Sequence, residues 1–314
     1  MTEPPTQTVL AVSPAMREAL RVVSRLAGAR SPVLIEGESG TGKDLVARLL
    51  HDQGPRRSGP FVKVHCPSVP ADLIESELFG HERGAFTDAK SSKPGRIETA
   101  DGGTLYFDQV QDLTPGLQAK ILRVVEEKRF ERLGGTRTIE VDVRIVSSSS
   151  VDLRRAVGAG TFREDLYHRL GVVPLKLPPL RDRREDVLPL ADLFLSRERE
   201  RGTTKASAFE EAAAGLLRGY FWPGNVRELR AVVERAALYA RGDRVPSAAL
   251  PDHLLEQPAT LWSGRESRPS LKDLEQAYIR YVLGQTAGSQ TRAAEILGIS
   301  RKALWEKRRR YGIP

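Results

Sequence analysis

Along the first 180 residues, apolar positions switch between two periods. Over residues 16–26 they recur three and four apart, the spacing of an amphipathic helix. Ser31-Pro32 breaks that run, and Val33-Leu34-Ile35 follows as a short continuous apolar block, the pattern of a buried strand. Phe61-Val62-Lys63-Val64, Thr104-Leu105-Tyr106-Phe107 and Val141-Asp142-Val143-Arg144-Ile145-Val146 read as further strands, with helical stretches such as 118–127 between them. This alternation predicts an α/β domain over 9–180, a parallel sheet flanked by helices. From 181 to 241 the strand pattern is lost and the spacing is helical, which predicts a smaller all-α domain. Residues 242–270 are rich in Pro, Ser and Gly and read as a linker. The periodicity of 271–314 is helical again, and no repeat is visible.

Composition narrows the class. With 314 residues, 40 % hydrophobic and 29 % charged, the chain has the make-up of a soluble protein of two or three domains. No apolar run is long enough for a transmembrane helix, and residues 1–10 are polar, without the basic-then-apolar order of a signal peptide. Cys66 is the single cysteine. It excludes an intrachain disulfide and a cysteine zinc cluster, and fits a reducing cytoplasm. The formal charge of +8 is uneven: residues 270–314 carry nine Lys and Arg against four acids. A terminal concentration of positive charge suggests a polyanion such as DNA, although a solvated helix face gives the same count.

Candidate chemistry begins after Val33-Leu34-Ile35, with Gly37-Glu38-Ser39-Gly40-Thr41-Gly42-Lys43-Asp44 leading into the apolar helix at 45–50. Glycines let backbone N–H groups turn toward phosphate oxygens, the helix N-terminus adds its dipole, and Lys43 reaches the outer phosphates. Asp44 stands where a phosphate loop usually has the Ser or Thr that touches magnesium. A second piece, Gly102-Gly103-Thr104-Leu105-Tyr106-Phe107-Asp108-Gln109, ends a strand on an acid, and Asp108 is placed to hold Mg²⁺.

Four further segments carry a resemblance: Glu77-Leu78-Phe79-Gly80-His81-Glu82-Arg83-Gly84-Ala85-Phe86-Thr87, Phe162-Arg163-Glu164-Asp165-Leu166-Tyr167-His168-Arg169-Leu170, Pro178-Pro179-Leu180-Arg181-Asp182-Arg183-Arg184-Glu185-Asp186, and Trp222-Pro223-Gly224-Asn225-Val226-Arg227-Glu228-Leu229. In sequence and order they resemble the sigma-54-dependent transcription activators, the bacterial enhancer-binding proteins, from about residue 9 onward. The resemblance implies an AAA+ P-loop core, a helical lid, and a ring, commonly a hexamer, with ATP between neighbours. It implies that Phe86-Thr87 contacts sigma-54 in the RNA polymerase complex. Lys43 and Asp108 would serve ATP and Mg²⁺, Arg163 and Arg169 would reach a neighbour's γ-phosphate, and Arg227 would sense nucleotide from the lid. An arginine supplied in trans makes turnover depend on assembly. Asn225 with Glu228 reads as a helix N-cap and its box partner.

Departures from the family pattern gather around hydrolysis. Asp108 is followed by Gln109 where the family has Glu, His65 matches the family Asn that restrains that Glu, and Ser148-Ser149-Ser150 replaces Ala-Thr-Asn. Asp88 replaces a Gly beside Phe86-Thr87. A glutamine orients water but accepts no proton near neutral pH. ATP binding with slow hydrolysis is the expectation, and a subunit that keeps Arg163 and Arg169 could still complete a competent neighbour's site. No receiver or ligand-sensing domain fits before residue 9, so control is expected to come from a partner, from expression level, or to be absent.

At the C-terminus, helices at 271–284, 290–297 and 301–310 surround the turn Gly298-Ile299-Ser300, a helix-turn-helix. Ala294, Leu297, Ile299 and Leu304 supply packing, and Ser300 is the N-cap of the last helix. Arg301 and Lys302 are expected near base edges, with Lys307, Arg308, Arg309 and Arg310 mostly on phosphates. Residues 291–300 resemble the Fis-type domain that ends many family members, and DNA at enhancer-like sites is the implied partner. Two other readings stay open: a DNA-bound regulator or repressor with ATP as a structural ligand and no sigma-54 remodelling, and an ATP-dependent interaction module unrelated to promoters.

Overall fold

The computed structural model describes residues 9–68, 71–86, 89–255, 270–286 and 290–313. Five strands, β1 (Val33–Glu36), β2 (Phe61–His65), β3 (Thr104–Asp108), β4 (Arg144–Ser149) and β5 (Val173–Lys176), form one parallel sheet. Their order is β2-β3-β4-β1-β5. The register sets Lys63 beside Tyr106 and His65 beside Asp108. β3 and β4 are buried along their whole length, which is why they read as unbroken apolar or small-residue runs.

Alternation along the strands divides the core into two layers. Leu34, Leu105, Phe107 and Ile145 face one side, packed with Ile121 and Val124 of α3 (Pro115–Glu127) and Leu166 and Leu170 of α4 (Glu164–Leu170). Val33, Ile35, Tyr106 and Val146 face the other, against Met16 and Val23 of α1 (Pro14–Ala27) and Val46 and Leu50 of α2 (Lys43–Asp52). The Ser13 hydroxyl caps α1 through the Met16 N–H, with Pro14 at the first helical position. Arg144, 3 % exposed, closes the other end of this layer. Its guanidinium donates to the carbonyls of Ala27 and Leu26 at 2.7 and 2.6 Å and of Leu50 at 3.1 Å, at the last turns of α1 and α2. A cation there meets both helix dipoles.

The observed strands differ from the sequence expectation in two places. β4 begins at Arg144 rather than Val141, because the N–H of Val141 goes to the Lys128 carbonyl and that of Asp142 to the Asp101 carboxylate, outside the ladder. It runs on through Ser147, Ser148 and Ser149, whose side chains are small enough to be buried. β5 was not expected, because Pro174 interrupts it. At the sheet edge, however, a proline costs no ladder hydrogen bond on its outward side.

Two helices beyond the sheet pack against each other: α5 (Val187–Glu200) and α6 (Asn225–Tyr239). Asp186, fully buried, ties the start of α5 to the start of α1, accepting from the N–H groups of Val12 and Ser13 and from the Ser13 hydroxyl at 2.6–2.7 Å. Two-residue strands Ala208–Phe209 and Arg244–Val245 pair in parallel within regions expected to be helical and linker. Val245 is fully buried, a single apolar anchor too short to give a period.

The compact units are residues up to Phe209 together with Phe221–Val245, and Glu210–Tyr220 together with the segment from Pro246 onward. In the second, α7 (Leu271–Gln285), α8 (Gln290–Leu297) and α9 (Arg301–Tyr311) enclose Ile279, Val282, Leu283, Ala293, Ala294, Leu304 and Ile313. It also holds the helix Asp252–Leu255, inside the expected linker, with Leu254 buried. Among the described residues no helix is long and apolar enough to cross a membrane.

Candidate functional site

A cleft of about 510 Å³ opens at the carboxyl end of β1 and β3, where an open parallel sheet leaves a crevice between its loops. Its floor is the loop 39–42 leading into α2. Gly42 takes φ +105° as the N-cap and Gly40 φ +79°, conformations that favour glycine. At Gly40 a Cβ would also lie 2.3 Å from the Gly224 carbonyl, so the loop and the start of α6 touch through bare backbone. Lys43, 7 % exposed, curls over the loop and donates to the carbonyls of Gly37 at 2.6 Å and Glu38 at 2.9 Å. Burial pulls its ammonium below the ordinary value, opposed by the charges of Asp108 and Asp44.

Asp108 ends β3 with both oxygens engaged. Oδ1 accepts from Ser148 Oγ at 2.8 Å and lies 3.3 Å from the Tyr106 hydroxyl, whose single hydrogen goes to the nearer Asp44. Oδ2 meets His65 Nδ1 at 2.9 Å and Lys63 Nζ at 3.0 Å. Burial disfavours the ionised carboxyl, but hydrogen bonds from Lys63 and Ser148 outweigh it and hold Asp108 below its ordinary value. Lys63 also bonds Asp44, which accepts from the Tyr106 hydroxyl at 2.8 Å. For Lys63 burial again works against charge, and the bonds to Asp44 and Asp108 carry its ammonium above the ordinary value.

Gln109 sits beside this cluster at φ +61°, outside the usual range for a side-chain-bearing residue. Its N–H donates to Ser148 Oγ at 3.0 Å, and its side-chain oxygen meets Gln111 Nε2 at 3.4 Å. His65, at the position expected to restrain residue 109, bonds Asp108 instead.

The start of α6 closes the cleft from above. Arg227 donates to Ser39 Oγ at 2.7 Å, and the Val226 N–H reaches the Gly40 carbonyl at 3.0 Å. Asn225, fully buried at φ +52°, donates to the Ser39 carbonyl at 3.0 Å and to Glu38 at 3.2 Å, and accepts the Leu180 N–H at 2.7 Å. The expectation that Asn225 caps α6 is therefore corrected. Gly224 is the N-cap, without a side-chain bond, and Asn225 bridges to the phosphate loop. The Glu228 half of the box is present, its carboxylate accepting the Gly224 N–H at 2.8 Å. Glu38 also receives a two-pronged bond from Arg181 at 2.5 and 2.7 Å, the larger cause of a carboxyl held below its ordinary value.

Not every expected residue converges on the cleft. Lys43, Asp44, Asp108, Gln109 and Arg227 line it, with Ser39 to Gly42; Gly37, Glu38, Arg163 and Arg169 do not. Arg163 pairs with Asp165 at 2.7 Å and Arg169 with Glu126 at 2.6 Å, on the exposed side of α4. Phe86 is 42 % exposed and packs edge-on against His81, with ring centroids 4.9 Å apart. Its neighbours Thr87 and Asp88 lie outside the described residues. Sequence reading missed Lys63 and Tyr106. Their spacing of two from His65 and Asp108 was the available sign, since alternate residues of neighbouring strands share a face.

In the second unit Gly298 takes φ +66° and Ser300 caps α9 through the Ala303 N–H at 3.1 Å. Arg301 and Lys302 are exposed at the first turn. Lys307 is instead ion-paired with Glu275 of α7. Arg309 lies over the exposed Trp305 ring, 5.7 Å from its centroid.

Comparison with known proteins matches all three regions. Residues 9–176 fit the sigma-54 interaction domain, 181–265 the AAA+ ATPase lid domain, and 270–311 the Fis family of bacterial regulatory proteins. The regulatory protein AtoC of Escherichia coli is 44 % identical over 313 residues, 97 % of this chain and 68 % of that protein. The Nif-specific regulatory protein of Herbaspirillum seropedicae is 48 % identical over 237 residues, 76 % of this chain and 44 % of that protein. The crystal structure of NtrX from Brucella abortus in complex with ATP superposes with a TM-score of 0.74 at 38 % identity, covering 98 % of this chain and 70 % of that one. The chain belongs to the sigma-54-dependent transcriptional regulators, with an AAA+ ATPase domain, its lid, and a Fis-type helix-turn-helix for DNA.

Proposed function

We propose that this regulator binds ATP in the cleft around Lys43, assembles through it, and hydrolyses it slowly. The observation that carries the reading is Gln109, set beside a complete phosphate loop where its family places the acid that polarises water. Gly37, Glu38, Ser39, Gly40, Thr41 and Gly42 surround the phosphates, Lys43 supplies charge to the outer ones, and Arg227 reports on them from the lid. Relatives solved with ADP and with ATP, both NtrX from Brucella abortus, support a nucleotide as the ligand class. General-base assistance is worth about 10²–10⁴-fold, so its loss slows turnover without removing binding.

Arg163 and Arg169 stand away from their own chain's cleft and are exposed, as arginines that serve a neighbour in a ring must be. Such a ring, commonly a hexamer in this family, places ATP between subunits and makes hydrolysis depend on assembly. Phe86 and Thr87 are the proposed sigma-54 contact, and Ser300, Arg301, Lys302 and Arg308 the proposed DNA-binding set, with Lys307 held instead by Glu275. Magnesium, which the family implies, meets a donor set that does not suit it. Asp108 has three donors on two oxygens, and Asp44 offers a carboxylate already held by Lys63 and Tyr106.

The test is steady-state ATP turnover of the full chain with nucleotide binding measured on the same preparation. Binding lost in Lys43→Ala together with a slow wild-type rate is the expected result. A rate equal to that of glutamate-bearing relatives, abolished by Lys43→Ala, refutes slow hydrolysis. No binding in either protein refutes the site.

A further inference from the structure

Lys63 lies between two carboxylates at the rim of the phosphate loop, bonded to Asp44 and 3.0 Å from Asp108. It stands on β2, whose register sets it beside Tyr106, and its ammonium lies 5.6 Å from that ring's centroid. We propose that the Lys63 ammonium takes the part of the divalent cation, so that this chain binds nucleoside triphosphate without magnesium. The proposal rests on the nucleotide reading of the cleft and names the charge that makes the pocket work.

Three observations support it. First, the two groups that would hold a divalent ion beside a phosphate loop are both committed to protein donors. The residue after Lys43 is a carboxylate rather than a hydroxyl, and that carboxylate accepts from Lys63 and Tyr106. Asp108 accepts from Ser148, His65 and Lys63. Inner-sphere coordination would require breaking charge-assisted bonds, which are about twice as strong as neutral ones.

Second, the cleft already carries the compensating charge. Lys43, Lys63, Arg183, Arg197, Arg227 and Arg230 line it against only Asp44 and Asp108 among acids. Arg230 is paired with Glu234 outside the lining, so the excess is three cations, close to the charge that a triphosphate tail brings with the opposite sign. Third, Lys63 is the cation bonded directly to both carboxylates, since Lys43 Nζ donates to the loop carbonyls and reaches the two acids only through space. A lysine is a compact point charge with three donors, enough to span both acids and still face a phosphate oxygen.

The experiment is titration of the full chain with ATP in magnesium and, separately, in EDTA, followed by calorimetry or by a fluorescent ATP analogue. The wild type is expected to show dissociation constants within about threefold of each other. Lys63→Met, close in shape but uncharged, is expected to lose at least about tenfold in EDTA and to recover most of it in magnesium. Lys63→Arg keeps the charge and should follow the wild type. Wild-type binding that weakens about tenfold or more in EDTA overturns the proposal, as does a Lys63→Met protein indifferent to EDTA. Should Lys63→Met not fold, the wild-type comparison and Lys63→Arg decide it alone. Absence of binding in both buffers is a different outcome, since it removes the nucleotide site itself.

Discussion

The side-chain amide of Asn225 donates to the Ser39 carbonyl at 3.0 Å, joining the first turn of α6 to the phosphate loop. The same side chain accepts the Leu180 N–H at 2.7 Å, so one buried amide holds together the loop, the start of α6 and the turn after β5. Anything that displaces the Ser39 carbonyl is felt directly by the helix that carries Arg227.

This bridge separates two costs that a single substitution usually mixes. Asn225 is at φ +52°, so Asn225→Gly keeps the backbone conformation while removing the amide. The bond to Leu180 is buried and those to Ser39 and Glu38 are partly buried, and their loss with unsatisfied partners is expected to cost about 1–3 kcal/mol. Asn225→Ala adds the penalty of a Cβ in the left-handed region, about 1–2 kcal/mol. Chemical denaturation should therefore rank wild type above Asn225→Gly above Asn225→Ala. Equal stability of the two variants would show that the backbone relaxes and that the φ value is not enforced.

A second prediction concerns the lost acid. Gln109→Glu restores a general base, yet the group expected to orient it, His65, is turned to Asp108. The single change is therefore expected to raise ATP turnover by less than the full ~10²–10⁴-fold of a positioned base. Adding His65→Asn should raise it further, because an amide frees one acceptor site on Asp108 and gives residue 109 a partner. Turnover rates of the two variants and the double mutant decide this. A double mutant no faster than Gln109→Glu would remove His65 from the account.

The sequence displayed the strand-and-helix rhythm and the phosphate loop because both are local patterns. Val33-Leu34-Ile35 followed by three glycines and a lysine lies within eleven residues, Val33 to Lys43. What it hid depends on contacts across the chain. Pro174 masked β5, since only the sheet order reveals an edge where proline is tolerated. Asn225 resembled a cap because the spacing to Glu228 fits one, but a positive φ turned its amide to Ser39 and Leu180 instead. Lys63 was visible only as a polar residue in a strand, and its partners Asp44 and Asp108 lie 19 and 45 positions away.

Acid should loosen the grip between Arg181 and the phosphate loop. Glu38 is held below its ordinary value of 4.5, first by the Arg181 bond, against burial, and with help from Asn225. A carboxyl with a depressed folded value stabilises the fold fully above its unfolded value, and that contribution fades as pH falls through the folded one. The stability difference between wild type and Glu38→Gln is therefore expected to be flat from about pH 6 to 8 and to shrink below about 4.5. Denaturation midpoints of both proteins across that range provide the measurement. A difference that grows in acid contradicts the assignment.

In the C-terminal unit, the structure divides basic residues that look equivalent in sequence. Lys302 is exposed at the first turn of α9, whereas Lys307 is ion-paired with Glu275 of α7, whose carboxyl also bonds Tyr311. A cation that contacts phosphate lowers the salt slope of DNA binding by about one when removed. Lys302→Met or Arg308→Met is expected to show that loss, read from the dependence of the dissociation constant on salt. Lys307→Met should change the slope less and instead lower the thermal stability of the unit, because Glu275 loses its partner. Its carboxyl is held below the ordinary value by Lys307 first and Tyr311 second. A full unit of slope lost in Lys307→Met, with unchanged stability, would mean that DNA breaks the pair and recruits the lysine.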